Sequence, residues 1–309
     1  MREHRFAVAT AVATFALLVI GGLVHATGSS LACPDWPLCS GQFFPRMEGG
    51  VLYEHGHRLA ALAVASLTVT LAVLVFRRRR EPGLRALAAL AVVLVLFQAS
   101  LGAVTVLFQL PLLVSASHLA TSMAFFSLVI TLAWRLRPAP AAPPPPAAPA
   151  GVRRLTGLAA AVTYLQIVLG AFVRHTGAGL ACNVRIPLCE GALWPAWGPA
   201  RLHMAHRLLG VALALLVWAA AGAALRTLPR GARLARALAW AAPAVVALQV
   251  AAGFWTVTSF IDVPVVSLHV ALAAALLANT LVLFLLLGPR RATSSAPGAV
   301  PAGLAPAAG

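Results

Sequence analysis

Four histidines stand at positions that repeat along the chain: His57 and His118 are matched by His206 and His269, 149 and 151 residues further on. Each falls about one helical turn inside an apolar run. An ionisable side chain in such a run is costly to place and so implies a task. Imidazole is a good iron ligand, and two imidazoles projecting from different helices can hold a heme iron from both faces. At i+4 from the four histidines stand the small residues Ala61, Ser122, Gly210 and Ala273, which leave room beside a planar macrocycle. A lone membrane histidine is more often a hydrogen-bond partner between helices. Four at matching positions favour ligation.

The histidines belong to a longer repeat. Residues 27–41 read T-G-S-S-L-A-C-P-D-W-P-L-C-S-G and precede Glu54-x-x-His57-Arg58, while residues 176–191 read T-G-A-G-L-A-C-N-V-R-I-P-L-C-E-G and precede His203-x-x-His206-Arg207. Gln98, Gly102 and Thr105 recur as Gln249, Gly253 and Thr256, so the chain reads as a tandem duplication. The two copies differ chemically where His203 replaces Glu54. Of seven acidic residues, only Glu54 begins an apolar helix on the ligand face. A carboxylate there suits proton acceptance, stabilisation of a developing cation or a hold on water; an ion pair with Arg58 is the alternative. The asymmetry suggests that one half does chemistry and the other keeps a cofactor.

The four cysteines pair by position, Cys33 with Cys39 and Cys182 with Cys189. Disulfides are favoured; zinc competes, but the spacings lack the C-x-x-C of common zinc sites. A redox role for Cys33 and Cys39 stays open. The other histidines read as structural: His4 is terminal, His25 and His175 end helices, and His55 points to another helix face, whereas His203 shares a face with His206. The pattern Q-x-x-x-G, at Gln98, Gln166 and Gln249, reads as helix-packing glue. Trp36, Trp194 and Trp197 read as interface anchors.

The elements that must position these residues follow from composition. With 61% hydrophobic and 10% charged residues and a mean hydropathy of +0.91, the chain is an all-α integral membrane protein. Apolar runs near 6–26, 53–76, 84–107, 113–134, 155–174, 202–225, 237–258 and 264–287 make eight transmembrane helices, four per repeat. All 23 basic residues are Arg. Seventeen lie at one side of these spans, and only Arg46, Arg58, Arg174, Arg185, Arg201 and Arg207 lie at the other. Both termini are therefore expected in the cytoplasm of a bacterial inner membrane, and both cysteine loops outside. The net charge of +16 is a topology signal and not a nucleic-acid surface. The first run lacks a clear cleavage site and reads as a retained helix.

An even helix count per copy sends both halves into the membrane in the same sense, which fits two tandem pseudo-symmetric four-helix bundles better than the inverted repeats of many transporters. The expected divisions are a bundle at 1–137, a Pro/Ala-rich cytoplasmic linker at 138–153, a second bundle at 154–291 and a disordered tail at 292–309.

The two loops, the Glu54-x-x-His57-Arg58 that follows the first, and their imperfect copies resemble the heme A synthase family in its cysteine-containing bacterial form. The resemblance spans residues 6–287. It implies an enzyme that oxidises the C8 methyl group of heme O to the formyl group of heme A for terminal oxidases. By position it implies His57 and His118 as ligands of the substrate heme O, with Glu54 assisting at the reacting side. His206 and His269 would ligate a resident heme b. Cys33 and Cys39 would serve electron or heme transfer, and Cys182 and Cys189 would form a disulfide. Heme O, heme A and membrane lipid are the expected partners, with heme O synthase and oxidase assembly factors as protein partners. Two rival readings are a diheme cytochrome b type electron carrier, expected to stack its hemes at different depths, and a non-catalytic heme carrier, in which Glu54 would be dispensable.

Overall fold

The computed structural model describes residues 1–138 and 148–289. Eight helices account for nearly all of them: α1 (Arg2–Ala26), α2 (Gly49–Arg78), α3 (Pro82–Leu107), α4 (Leu112–Arg135), α5 (Ala150–His175), α6 (Gly198–Thr227), α7 (Arg233–Thr258) and α8 (Val263–Leu287). All eight are long and apolar enough to cross a membrane. Helices are what a single apolar segment can form in lipid, because each satisfies its backbone hydrogen bonds internally. Ser and Thr inside the spans do likewise: the hydroxyls of Thr10, Thr14, Thr68, Thr163 and Thr280 each donate to the carbonyl four residues earlier at 2.7–2.8 Å. Pro243 lies within α7, which continues through it.

Every expected span is present. The difference is at the ends, where helices run past the apolar stretch into the arginines, as at Arg2 and Arg78. The linker is shorter than expected, because α5 starts at Ala150 directly after an extended Pro149, and Val152 packs on a core around Ala224, Ala235, Leu283 and Leu287. Residues 139–147 of the linker and the tail at 292–309 lie outside the described residues.

Helices α1–α4 close on themselves, α1 packing on α2 and α4, and α3 on α2 and α4. The same holds for α5–α8. Contact between the two sets runs through α1, α4, α5 and α8, where Leu18, Met123, Phe126, Ile130, Ile167, Ala274 and Leu277 form one buried cluster. Two polar contacts reinforce it: Tyr164 Oη donates to the Ala120 carbonyl at 3.1 Å, and Arg174 donates to the His25 carbonyl at 2.9 Å.

The two cysteine loops share a backbone path. Each has a cis X-Pro bond (Trp36–Pro37, Ile186–Pro187) and left-handed residues at Ser40–Gly41 and Glu190–Gly191. Each is also closed by a small antiparallel bridge, Cys39 to Gln42 and Cys189 to Ala192. A glycine is needed at 41 and 191, where φ is +74° and +85°.

Phe126 is 2% exposed at the centre of the cluster between the two sets of helices. Phe126→Ala is expected to cost about 1–3 kcal/mol, less than in a soluble core because lipid is nearly as apolar as the lost contacts. A lowered thermal midpoint of the detergent-solubilised protein checks it.

Candidate functional site

The site is built from contacts between adjacent helices. His57 on α2 lies against Gly21 of α1, where an added Cβ would come within 3.1 Å of the imidazole Cε1. His118 on α4 lies against Gly102 of α3 at 3.5 Å by the same measure, His206 on α6 against Gly170 of α5 at 3.1 Å, and His269 on α8 against Gly253 of α7 at 3.1 Å. All four rings are half-buried.

This arrangement changes the reading of Q-x-x-x-G. The glycine admits an imidazole ring, and the glutamine one turn earlier reaches that ring. Gln166 Nε2 lies 3.1 Å from His206 Nδ1 and donates to the His206 carbonyl at 2.8 Å. Gln249 Nε2 lies 3.4 Å from His269 Nε2. Gln98, with its NH2 group turned to His118, donates to Nδ1 and to the carbonyl of that residue, each at 3.0 Å. The small residues at i+4 partly serve these amides: an added Cβ at Gly210 would meet Gln166 Nε2 at 3.2 Å, and Ser122 Oγ hydrogen-bonds to the Gln98 amide at 2.7 Å. His57 Nδ1, His269 Nδ1, Gln166 Oε1 and Gln249 Oε1 are buried without a partner among the described residues.

Above His57, Glu54 is 4% exposed and its carboxylate is held twice, by Arg58 at 2.6 Å and by the Cys33 amide at 2.7 Å. The ion pair with Arg58, weighed as an alternative from sequence, is therefore present. Arg58 does more than pair: its guanidinium also donates to the Asp35 carbonyl at 2.7 Å, to the Leu38 carbonyl, and to the Cys33 carbonyl at 3.3 Å. One side chain thus ties α2 to the loop. Its role was foreshadowed in sequence only by adjacency to His57. The second half has a sparser version, in which Arg207 donates to the Arg185 carbonyl at 2.8 Å and His203 stands buried in place of Glu54.

Both cysteine pairs are disulfides, Cys33–Cys39 and Cys182–Cys189, so the zinc reading does not describe them. His55 is not the idle residue its offset implies. It is 3% exposed, its Nε2 donates to the Phe43 carbonyl at 2.9 Å, and a ring nitrogen lies within 4.8 Å of the Cys33 and Cys39 sulfurs. Met204, fully buried beside Cys182 and Cys189, takes its place in the second half.

The family model for cytochrome oxidase assembly proteins, COX15-CtaA, matches residues 4–51 and 48–281. The chain belongs to this family. Among relatives of this COX15-CtaA member, a protein named heme A synthase from Symbiobacterium thermophilum is 37% identical over 276 residues, 85% of this chain and 88% of that protein. Another of that name from Bacillus pumilus is 36% identical over 221 residues, 67% of this chain and 70% of that protein. A protoheme IX farnesyltransferase of Halobacterium salinarum is 34% identical over 129 residues, 41% of this chain and 28% of that protein.

In this COX15-CtaA chain the first loop has a polar anchor that the second lacks. The Asp35 carboxylate accepts from the Gly41 amide at 2.8 Å and the Ser40 amide at 2.5 Å, and these bonds, that of Gly41 foremost, hold its carboxyl below the usual aspartate range. With a depressed folded value, the anchor contributes at neutral pH and is lost as pH falls through that value. Counted from the cis proline and the second cysteine, the position matching Asp35 is Arg185, whose carbonyl accepts from Arg207 as that of Asp35 does from Arg58. Asp35→Ala is expected to speed reduction of Cys33–Cys39 by a dithiol several-fold and leave Cys182–Cys189 unchanged, read by alkylation and peptide mass analysis.

Proposed function

We propose that this chain is a heme A synthase, a multi-pass membrane oxidoreductase that converts the C8 methyl group of heme O to the formyl group of heme A. The observation that supports it most is the four-fold repetition of one seat, an imidazole from one helix laid on a glycine of its neighbour. The name heme A synthase on two relatives that this chain matches over most of its length points the same way. The similarity to part of a protoheme IX farnesyltransferase favours a farnesylated heme as substrate, handled close to the enzyme that makes it.

The division of labour follows the sequence asymmetry. The half at 1–137 takes heme O between His57 and His118, and the half beginning near residue 150 takes heme b between His206 and His269. The donor set fits a heme iron: imidazoles come from opposite helices, an Nδ1 at His269 is buried without a partner, and no side chain stands on the glycines beneath the rings. Bound there, heme b supplies one-electron transfer. Methyl-to-formyl conversion replaces two hydrogens by an oxygen atom, which is beyond protein side chains alone. The chain's own groups hold and orient the porphyrin, exclude bulk water, and place one carboxylate, Glu54, at the end of the substrate site, where it can steady positive charge. Arg58 and the Cys33 amide fix that carboxylate and connect it to the Cys33–Cys39 loop. The arginine distribution supports an orientation with both termini in the cytoplasm and both cysteine loops outside the bacterial inner membrane.

Pigments extracted from protein expressed with a heme O supply are expected to contain heme b together with heme O or its oxidised products. His206→Ala and His269→Ala are expected to lose heme b selectively, and His57→Ala and His118→Ala to lose heme O. Two equivalents of heme b alone, despite available heme O, would point to a diheme electron carrier, and absence of heme would remove the reading. Glu54→Gln keeps an acceptor for the Cys33 amide while removing the charge. It is expected to retain both hemes and stop heme A formation; unchanged output, measured by chromatography, would leave Glu54 as a loop tether.

A further inference from the structure

The four histidine seats are built alike except for one. Each ring lies on a glycine, and one turn before that glycine stands Gln98, Gln166 or Gln249 at three seats. At the fourth, the residue one turn before Gly21 is Leu17, whose side chain packs against the apolar core of the first half. The surroundings follow suit: Gly210, whose missing Cβ makes room for the Gln166 amide, is matched by Ala61 opposite Leu17. Accordingly, amides approach rings of His118, His206 and His269, whereas among the described residues no amide approaches His57; its Nδ1, like that of His269, is buried without a partner.

From this we infer that the glutamines are positioning residues for three of the four imidazoles, and that Leu17 makes His57 the ligand built to let go. The inference rests on the heme ligation proposed above. An imidazole bound to metal through one nitrogen carries a proton on the other, and a hydrogen bond from that N–H fixes the ring and raises its basicity. In the structure the NH2 group of each amide faces the ring; turned by half a rotation, the amide presents Oε1 as the acceptor, and the Oε1 atoms of Gln166 and Gln249 are buried and unclaimed. Leucine offers neither. A ring so held keeps its heme; one bare of partners binds more weakly and turns more easily. The seat with the leucine belongs to the half assigned to heme O, a substrate that must enter and leave as heme A, while both seats of the heme b half carry glutamine. Exchangeability is thus set by one residue of α1, outside the ligands themselves.

The test is heme release from the purified holoprotein, carrying heme O and heme b, into excess apomyoglobin, with the remaining hemes separated by chromatography so that each is timed alone. Heme O is expected to leave the unaltered protein faster than heme b. Leu17→Gln is expected to slow heme O release about 10-fold and leave heme b unaffected, and Gln166→Leu to speed heme b release about 10-fold and leave heme O unaffected. A redox titration adds a readout that looser folding would not supply. Loss of the hydrogen-bond acceptor at His206 makes the ligand less basic, so Gln166→Leu is expected to raise the heme b midpoint potential. Gln166→Leu keeps an apolar helix and carries the test by itself if Leu17→Gln does not accumulate. Release rates and potential indifferent to the substitutions, in protein that holds both hemes, would overturn this inference and leave the functional reading intact. Protein that holds no heme would overturn both.

Discussion

The contact on which the rest of the structure depends is that of an imidazole ring with the backbone of a neighbouring helix. A Cβ on the neighbour would crowd the ring and push it away by a few tenths of an ångström, because at Gly21, Gly170 and Gly253 that atom would fall 3.1 Å from the imidazole Cε1. Glycine therefore sets the distance between α1 and α2, α5 and α6, and α7 and α8, and those are among the most closely packed helix pairs in the chain. In a bilayer there is no hydrophobic force to press helices together, so association relies on close van der Waals approach and on polar groups that find partners only inside the protein. The histidine seats supply both. The polar groups otherwise costly in lipid are gathered at the places where small residues allow the closest approach.

Much of this was legible in the sequence. Eight spans follow from hydropathy alone, because a segment that must bury its whole length in lipid leaves a signal that tertiary contacts cannot override. The four histidines stood out because they recur, and the disulfides because their loops do. What escaped was how the parts meet. Q-x-x-x-G has the look of a generic close-packing motif, and only the positions of α4, α6 and α8 reveal that a histidine, not a helix backbone, occupies the space over its glycine. His55 is two residues from His57 and so belongs to another face by helical geometry; nothing in that offset tells that the first loop folds back over it and brings Phe43 to its Nε2 at 2.9 Å. Non-local returns of the chain are invisible to periodicity.

Arg58 illustrates the same limit. Its sequence neighbours offer Glu54 one turn away, and that pair forms. The remaining donors go to carbonyls 20 to 25 residues earlier, a set of bonds made possible because the loop turns at Trp36–Pro37 and Ser40–Gly41 and is cross-linked by Cys33–Cys39. Guanidinium is suited to this task, having five donors in a fixed plane and no need of a second charge for each. Glu54 is consequently part of a lattice that joins helix, loop and disulfide, and a change at any of these reaches the end of α2 where His57 stands.

The differences between the two halves are not spread evenly. On the α3–α4 side and its counterpart α7–α8, the seats share four residues, Gln98, Gly102 and Thr105 with His118 against Gln249, Gly253 and Thr256 with His269, and differ at Ser122 against Ala273. On the α1–α2 side and its counterpart α5–α6, four replacements surround the histidine, Leu17 for Gln166, Ala61 for Gly210, Glu54 for His203 and His55 for Met204. Drift would touch both sides of a bundle alike. The concentration of replacements on one side means that in each half one histidine keeps a nearly common environment while the surroundings of the other are free to specialise. In the first half that specialisation removes an amide from the ring of His57 and adds a carboxylate one turn away, at the same end of the same helix. On the proposed reading, a site that must release its occupant and act on it needs both changes close to one histidine, and the opposite histidine then serves as the fixed point against which the change takes effect.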